Sequence, residues 1–465
     1  MNGMSEQYKK QLCISGIKLL HYAAAITVFF LFWMLFRYGA LLGVEDVGFR
    51  YNFYVTAGYA ACLMFFSRTY NAYLLGYTRI RMLVFLQLLT QFFSALIVYG
   101  VVSAAWNVWK APFWFLPMLA VDGALDIAWS RWGNGLYFKL FPTKKTILIY
   151  RSEQDRSRLG NLRGKPTERL YKITKELQYD GSFHELRPLL AGYDAVFVAG
   201  VNSRCRNGIL KYCKEQGIPG FFLPHVGDVI MQKAVHVQTF DAPVLYVARS
   251  ELKPEYRIVK RLFDIVASLA GIVILSPVML AIALAVRLCD GGPVLYKQVR
   301  LTRNGKRFQI LKFRSMRVDA EKDGRARLST GKEDERVTPV GRLLRMCRMD
   351  ELPQLFNILA GDMSFVGPRP ERPEIAEEYC RTIPDFRLRL QVKAGLTGYA
   401  QVYGKYNIDP YEKLQFDLLY INHMSILTDI KLMFATAAIL FLREKTEGSE
   451  GRNSMDDEKS KAGRK

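Results

Sequence analysis

Apolar residues in this chain gather into a few long runs, and basic or polar residues separate them. Leu19 to Phe36 is uncharged and is bracketed by Lys18 and Arg37. Tyr51 to Ser67 is a second run, rich in aromatics and ended by Arg68. Met82 to Trp109 carries no charge and is long enough to cross a bilayer with some tilt. Ala111 to Trp129 contains Asp122 and Asp126. It reads either as a surface-lying or buried helix, or as a fourth span whose acids face neighbouring helices; the span is favoured. The first run is too long for the apolar core of a cleavable signal peptide, and no small-residue cleavage site follows it.

Basic residues set the orientation. Lys9, Lys10 and Lys18 precede the first run, Arg68, Arg79 and Arg81 lie between the second and third, and Arg131, Lys139, Lys144 and Lys145 follow the fourth. The loop from Arg37 to Arg50 balances its arginines with Glu45 and Asp46. Four spans, residues 1–143, with both ends in the cytoplasm fit this pattern.

Residues 144–252 change character. Thr146 to Tyr150 and Tyr193 to Val198 are strand-like, Cys205 to Gln216 has helical spacing, and Ile218 to Leu223 reads as another strand. That alternation predicts a Rossmann-like α/β domain with a parallel sheet. The turn after its first strand, Tyr150-Arg151-Ser152-Glu153-Gln154, has none of the glycines that cradle a dinucleotide phosphate. A structural or dimerisation role is therefore expected for this domain, ahead of nucleotide sensing.

Ile265 to Val286 is a further uncharged run of spanning length. Ser276-Pro277 sits in its middle, and proline removes a backbone donor and crowds the preceding turn. Arg257, Lys260 and Arg261 stand before the run, and Arg287, Lys297 and Arg300 after it. A simple span leaves one side poor in Lys and Arg. Pattern alone leaves two readings, a span or a helix–break–helix over about 262–288 that enters the membrane and returns to the same face.

Composition sharpens the picture. The chain has 465 residues, 65 Lys and Arg against 43 Asp and Glu, and a net charge of +22. Its hydrophobic half excludes a disordered chain. Its seven cysteines form no C-x-x-C pair, which excludes a disulfide framework or a zinc site of that type. The positive balance points to an anionic partner. Nucleic acid is disfavoured as that partner, because the basic residues flank the apolar runs and no recognition motif is present.

Candidate chemistry lies in the last third. Phe308 to Met316 reads as a strand, with Lys312 and Arg314 on one face; the pattern alone favours an ordinary solvated face, while two side-by-side cations also suit a diphosphate. Thr338-Pro339 begins a helix that carries Arg345. Asp350 is expected to cap the next helix, with Pro353 in its first turn and Gly361 at its end. Asp350 and Glu351 would then stand at the positive end of that helix, within reach of Arg345 and Arg348. One carboxylate could attack phosphorus while the other holds Mg²⁺. Gly367-Pro368-Arg369-Pro370-Glu371-Arg372-Pro373 is a proline-fixed turn presenting Arg369 and Arg372. Ser425 to Arg443 reads as a helix lying in the membrane interface, and the residues from Thr446 as a polar tail.

These pieces resemble the bacterial sugar transferases, or monotopic phosphoglycosyl transferases. The matching segments are Lys260-Arg261-Leu262-Phe263-Asp264, Ser276-Pro277, Lys312 to Met316, Asp350-Glu351-Leu352-Pro353-Gln354, Gly361 to Pro370 and Gly395 to Val402. The four-span start and the α/β middle are similar to the large subgroup that initiates capsule and exopolysaccharide synthesis. The resemblance implies transfer of a sugar-1-phosphate from a UDP-sugar to undecaprenyl phosphate, with release of UMP. Asp350 is then the nucleophile and, with Glu351, the Mg²⁺ site; Lys312, Arg314, Arg345, Asp362 and Arg369 bind substrate phosphates; and Ser276-Pro277 is the break of a re-entrant anchor. It also implies a catalytic domain over 253–445 facing the cytoplasm at the bacterial inner membrane, and a hexose such as galactose or glucose as the sugar. A homodimer in contact with membrane lipids and a disordered tail over 446–465 complete the expectation. The competing class is a non-catalytic membrane scaffold or sensor with a basic, lipid-binding domain.

Overall fold

The structure is a computed structural model that describes residues 2–36, 49–107, 109, 115–159, 166–237, 242, 244–247, 254–317, 336–404 and 408–442. The expected balanced loop after Arg37 lies almost wholly outside the described residues, and the expected polar tail 446–465 entirely so. The chain divides into two compact units, Met1–Leu223 and Pro224–Lys465.

The first unit begins with four helices: α1 (Asn2–Phe36), α2 (Phe49–Tyr70), α3 (Ile80–Trp106) and α4 (Phe115–Leu140). Consecutive helices pack on each other and α4 returns to α1. Apolar side chains from all four, among them Phe29, Tyr59, Val98 and Met118, share one core. By length and hydropathy, Tyr8–Leu35 and Ile80–Trp106 are able to cross a membrane. α2 and α4 carry charges, Arg68 in one and Asp122 and Asp126 in the other, that lower their hydropathy.

The expected parallel sheet follows. It contains β1 (Lys144–Tyr150), β2 (Tyr171–Gln178), β3 (Ala195–Ala199) and β4 (Gly220–Phe222), all parallel and in the order β2-β1-β3-β4. Helices α5 (Glu153–Leu159), α6 (Phe183–Leu190) and α7 (Ser203–Gln216) connect the strands. Buried on both faces, β3 and the Ile147–Tyr150 part of β1 are apolar, as central parallel strands require. At the carboxyl ends of β1 and β3, where such folds receive phosphate, the chain places its own Asp155 over Gly200. A side chain on Gly200 would overlap that carboxylate at 2.1 Å.

The second unit contains α8 (Val226–Met231), a hairpin of β5 (Val235–Val237) and β6 (Val244–Tyr246), and the long α9 (Pro254–Asp290). It continues with an antiparallel pair, β7 (Leu295–Leu301) and β8 (Arg307–Phe313), then α10 (Pro339–Met346) and α11 (Gln354–Ala360). After these come β9 (Met363–Val366), α12 (Pro373–Thr382), β10 (Ala394–Thr397), α13 (Tyr399–Tyr403), α14 (Pro410–Asn422) and α15 (Ile426–Leu442). The unit boundary falls ahead of the one expected near residue 252. The reason is α8: Val226 and Val229 join the core of Leu414, Leu418 and Ile421 on α14.

The backbone of α9 stays helical through Ser276-Pro277, where a break was expected. Pro277 has no N–H for the Val273 carbonyl one turn earlier. The Ser276 hydroxyl donates to that carbonyl instead, at 2.7 Å. Both ends of α9 are fastened to the same unit. Lys260 donates to Asp429 at 2.6 Å and to the Val366 carbonyl at 3.1 Å. Arg261 donates to the Ile358 and Leu359 carbonyls at the end of α11. Asp264 accepts from Ser364 and from the Phe365 amide on β9. At the far end, Ile282 and Val286 pack with Phe313 and Leu344, and Asp290 pairs with Arg314. Leu262, Val266, Leu269, Val273, Leu280 and Leu284 remain exposed.

Candidate active site

Three loops and a strand edge assemble the site. β8 presents Lys312, and Asn357 of α11 fixes that strand by accepting from the Leu311 amide at 2.9 Å and donating to the Gln309 carbonyl at 2.8 Å. This pairing sets the distance between β8 and the start of α11. Thr338 caps α10, accepting from the Gly341 amide at 2.9 Å with Pro339 behind it, as its sequence predicts. α10 then presents Arg345, whose Nε donates to Ser315 at 2.8 Å.

The expected cap at Asp350 is not formed. Arg348 takes a left-handed backbone, φ 53°, and Met349–Glu351 make one tight 3-10 turn. α11 starts only at Gln354, because Leu352 and Pro353 are still part of the turn into it. Both carboxylates therefore ride on the turn that leads into the helix and are nearly buried, Asp350 at 9% and Glu351 at 8% exposure.

Glu351 is the hub of the cations. Lys312 Nζ lies 2.9 Å and Arg369 Nη2 2.8 Å from Glu351 Oε1, and Arg348 Nη1 lies 3.7 Å from Oε2. Burial opposes ionisation of Glu351, but Arg369, Lys312 and Arg348 outweigh it and hold the group far below the usual carboxylate range. Burial and the adjacent Glu351 charge push the Asp350 carboxyl up, against the pull of Lys312, Arg345 and Arg369. Among the described residues Asp350 has no hydrogen-bonded or ion-paired partner. The pair is thus split: Glu351 is a fixed counter-charge, and Asp350 stands beside it without such partners among the described residues.

Arg369 is held from behind. Its carbonyl accepts from Arg389 Nη2 at 2.8 Å, and Arg389 Nε donates to Asp417 at 2.7 Å. Arg300 donates to the Pro370 carbonyl at 3.1 Å, and Lys413 pairs with Glu371. A cavity of about 930 Å³ borders Glu371 and Arg389, but its lining includes none of Asp350, Glu351, Lys312 or Arg369.

The structure thus brings Lys312, Arg345, Asp350, Glu351 and Arg369 together. Arg314 and Asp362 stand apart. Lys312 and Arg314 leave the same chain segment, but Arg314 is buried against Asp290 at the end of α9. Asp362 lies 3.7 Å from Lys306, and its carbonyl accepts from Thr302. Sequence reasoning did not single out Arg389 and Asp417. Asp417, an acid inside the apolar stretch Leu414 to Leu418, was the available signal, since a buried carboxylate needs a cation. Among the described residues no group of three or more His, Cys, Asp or Glu side chains is placed to hold a metal ion.

Residues 255–443 match the profile of the bacterial sugar transferase family. The chain is 43% identical over 199 residues to UDP-glucose:undecaprenyl-phosphate glucose-1-phosphate transferase of Klebsiella pneumoniae, a match covering 42% of each chain. It is 40% identical over 186 residues to UDP-N-acetylgalactosamine-undecaprenyl-phosphate N-acetylgalactosaminephosphotransferase of Aeromonas hydrophila, covering 39% of this chain and 44% of that protein. A putative undecaprenyl-phosphate N-acetylgalactosaminyl 1-phosphate transferase of Bacillus subtilis is 45% identical over 141 residues, which are 30% of this chain and 78% of the relative. The chain therefore spans less than half the length of the first two relatives and most of the third.

Proposed function

The chain belongs to the bacterial sugar transferase family, and from that membership and the carboxylate geometry we propose that it transfers a sugar-1-phosphate from a UDP-sugar to undecaprenyl phosphate and releases UMP. The observation that carries this reading is the division of labour in the acidic pair: Glu351 is held by three cations while Asp350 is unpartnered beside it. A structural pair has no need of the second carboxylate.

In the first step an Asp350 oxygen attacks the sugar-bearing phosphorus. A P–O bond to Asp350 forms, the bond to the bridging oxygen breaks, and UMP leaves with that electron pair. In the second step a phosphate oxygen of undecaprenyl phosphate attacks the same phosphorus, and the Asp350 carboxylate is the leaving group. Arg369, Lys312 and Arg345 bear the charge of the diphosphate and then of UMP. Two adjacent carboxylates suit Mg²⁺, which takes one or two carboxylates and completes its shell with water and substrate phosphate. Asp350 and Glu351 would hold it, and when bound it neutralises phosphate charge. Hexose transfer is the preferred reading for the sugar, with glucose or galactose as the first donors to try.

Membrane association is carried by three helices long and apolar enough to cross a bilayer, Tyr8–Leu35, Ile80–Trp106 and Pro254–Asp290. For the last of these, insertion with return to the cytoplasmic face is supported by its two fastened ends. Lys260 and Asp290 both pair with the catalytic unit, while the lipid-facing leucines and valines are exposed between them. Exposed Leu343, Met346 and Met349 add apolar contacts next to the acidic pair.

The test is UMP release by the detergent-solubilised full chain with a panel of UDP-sugars and undecaprenyl phosphate. Asp350→Asn should abolish it, and phosphosugar should be trapped on the wild type when the acceptor is left out. Wild-type turnover in Asp350→Asn would remove the nucleophile.

A further inference from the structure

The first unit contains a polar cluster that the reaction above does not use. Asp122 and Asp126 lie one turn apart on α4, and both are completely buried. Asp126 Oδ1 is served: Gln91 Nε2 donates to it at 3.1 Å, and His21 Nε2 lies 2.9 Å away. The other ring nitrogen of His21 pairs with the Tyr73 hydroxyl at 2.7 Å. Among the described residues Asp126 Oδ2 has no partner, and neither has either oxygen of Asp122.

Two further side chains from other helices add to this. Tyr59 on α2 is 0% exposed, its hydroxyl has no partner among the described residues, and its side chain shares a core with Met118, one turn before Asp122 on α4. Gln91 on α3 is 1% exposed; its amide nitrogen is used on Asp126, but its carbonyl oxygen has no partner. Among the described residues, four acceptor oxygens and the Tyr59 hydroxyl, from three helices, are therefore buried without a hydrogen-bond partner. Their basic partner is His21, so two carboxylates face at most one imidazolium in a low-dielectric setting.

Three occupants could relieve this. A proton neutralises one carboxylate but, even with the Tyr59 hydroxyl, leaves two donors for four acceptor oxygens. Water satisfies lone pairs but leaves the charge. A hard cation does both, and carboxylate, amide and hydroxyl oxygens are the donors such an ion selects. We infer that Asp122, Asp126, Gln91 and Tyr59 form a buried binding site for one monovalent alkali cation, which ties α2, α3 and α4 together.

The test uses the purified full chain in detergent, stripped of divalent ions with EDTA. Its thermal midpoint is measured in lithium, sodium, potassium and choline chlorides at equal ionic strength, so that screening is constant. An alkali chloride should raise the midpoint several degrees above choline in the wild type, with no such shift in Asp122→Asn. If that variant does not fold, retention of radioactive sodium or rubidium by wild type and Tyr59→Phe decides. About one ion per chain is expected for the wild type, with several-fold weaker binding for Tyr59→Phe. Equal midpoints in all four salts, no retained ion, or an undiminished shift in Asp122→Asn would each overturn the site. None of these readouts depends on sugar transfer, so failure here leaves the proposed activity standing, and the reverse also holds.

Discussion

Arg369 holds Glu351 through a single oxygen: its Nη2 donates to Oε1 at 2.8 Å, the atom that Lys312 also reaches at 2.9 Å. Arg389 grips the Arg369 carbonyl, which fixes the backbone from which the guanidinium reaches Glu351. A lysine at 369 keeps the charge but not the planar fork. Arg369→Lys is therefore expected to lower kcat/KM for UMP release by about tenfold or more while the fold persists. Equal kinetics in the two proteins would show that charge alone suffices.

The same environment fixes a pH dependence. Burial and the Glu351 charge raise the Asp350 carboxyl, so protonation removes the proposed nucleophile at a higher pH than for an ordinary aspartate of about 3.9. The acid limb of kcat/KM should lie above that value. Arg345 pulls the group down, so Arg345→Gln should move the limb to still higher pH. A limb that stays put in the variant would argue against Asp350 as the titrating group.

Arg348 combines two roles that substitutions can separate. Its φ of 53° sits in the left-handed region, where a side chain costs about 1 kcal/mol or more relative to glycine. Its guanidinium also lies 3.7 Å from Glu351 Oε2. Arg348→Gly should keep the thermal midpoint near wild type, and Arg348→Ala should lower it. Both should lose activity to a similar degree, since both lack the cation. A midpoint for the alanine variant as high as for glycine would show that the turn is not strained.

The sequence pattern carried the segments further than it carried the site. The apolar runs, the parallel sheet at Thr146 to Tyr150 and the capped helix at Thr338-Pro339 are local properties, set by period and by turn chemistry. The site depends on contacts between distant segments. Alternation put Lys312 and Arg314 on one face, yet their charged ends part, because Glu351 receives one and Asp290 the other. Nothing adjacent to Arg389 announces its bond to Arg369, twenty residues away. The same holds for Pro277: its missing donor was legible, but the Ser276 hydroxyl that replaces it was a matter of side-chain geometry.

The Asp264 carboxylate anchors α9 to β9, accepting from Ser364 Oγ at 3.1 Å and the Phe365 amide at 3.2 Å, with 3% exposure. Asp264→Ala leaves both donors buried and unpaired, which costs about 1–3 kcal/mol each where no water enters. The full chain should show a lower thermal midpoint, and α9 cysteines introduced on its lipid-facing side should become more accessible. Ser276→Ala tests the other half of the anchor, because it leaves the Val273 carbonyl without a donor in an apolar setting. A normal midpoint in both variants would mean that the Asp264 and Ser276 hydrogen bonds are not what holds α9.

The turn that carries Arg369 lies directly on the strand that follows Lys393. The Gly367 amide donates to the Thr397 carbonyl at 2.8 Å, and the Gly395 amide donates to the Pro368 carbonyl at 2.9 Å. The two backbones are so close that a Cβ on Gly395 would lie 2.1 Å from the Gly367 nitrogen. Backbone, not a flexible side chain, fills that space, so neither strand can yield without moving the other. Gly395→Ala is expected to push the Gly367–Pro370 turn away and to carry Arg369 off Glu351. Activity should then fall by about a hundredfold, as displacements near 1 Å in a positioned group do, with KM for the UDP-sugar rising alongside. Gly404→Ala provides the contrast. Its Cβ would meet Ile408 and the Ala400 carbonyl, away from the acidic pair, so it should cost stability without the same rise in KM. If Gly395→Ala bound and turned over substrate like the wild type, the close backbone contact would not be what positions Arg369.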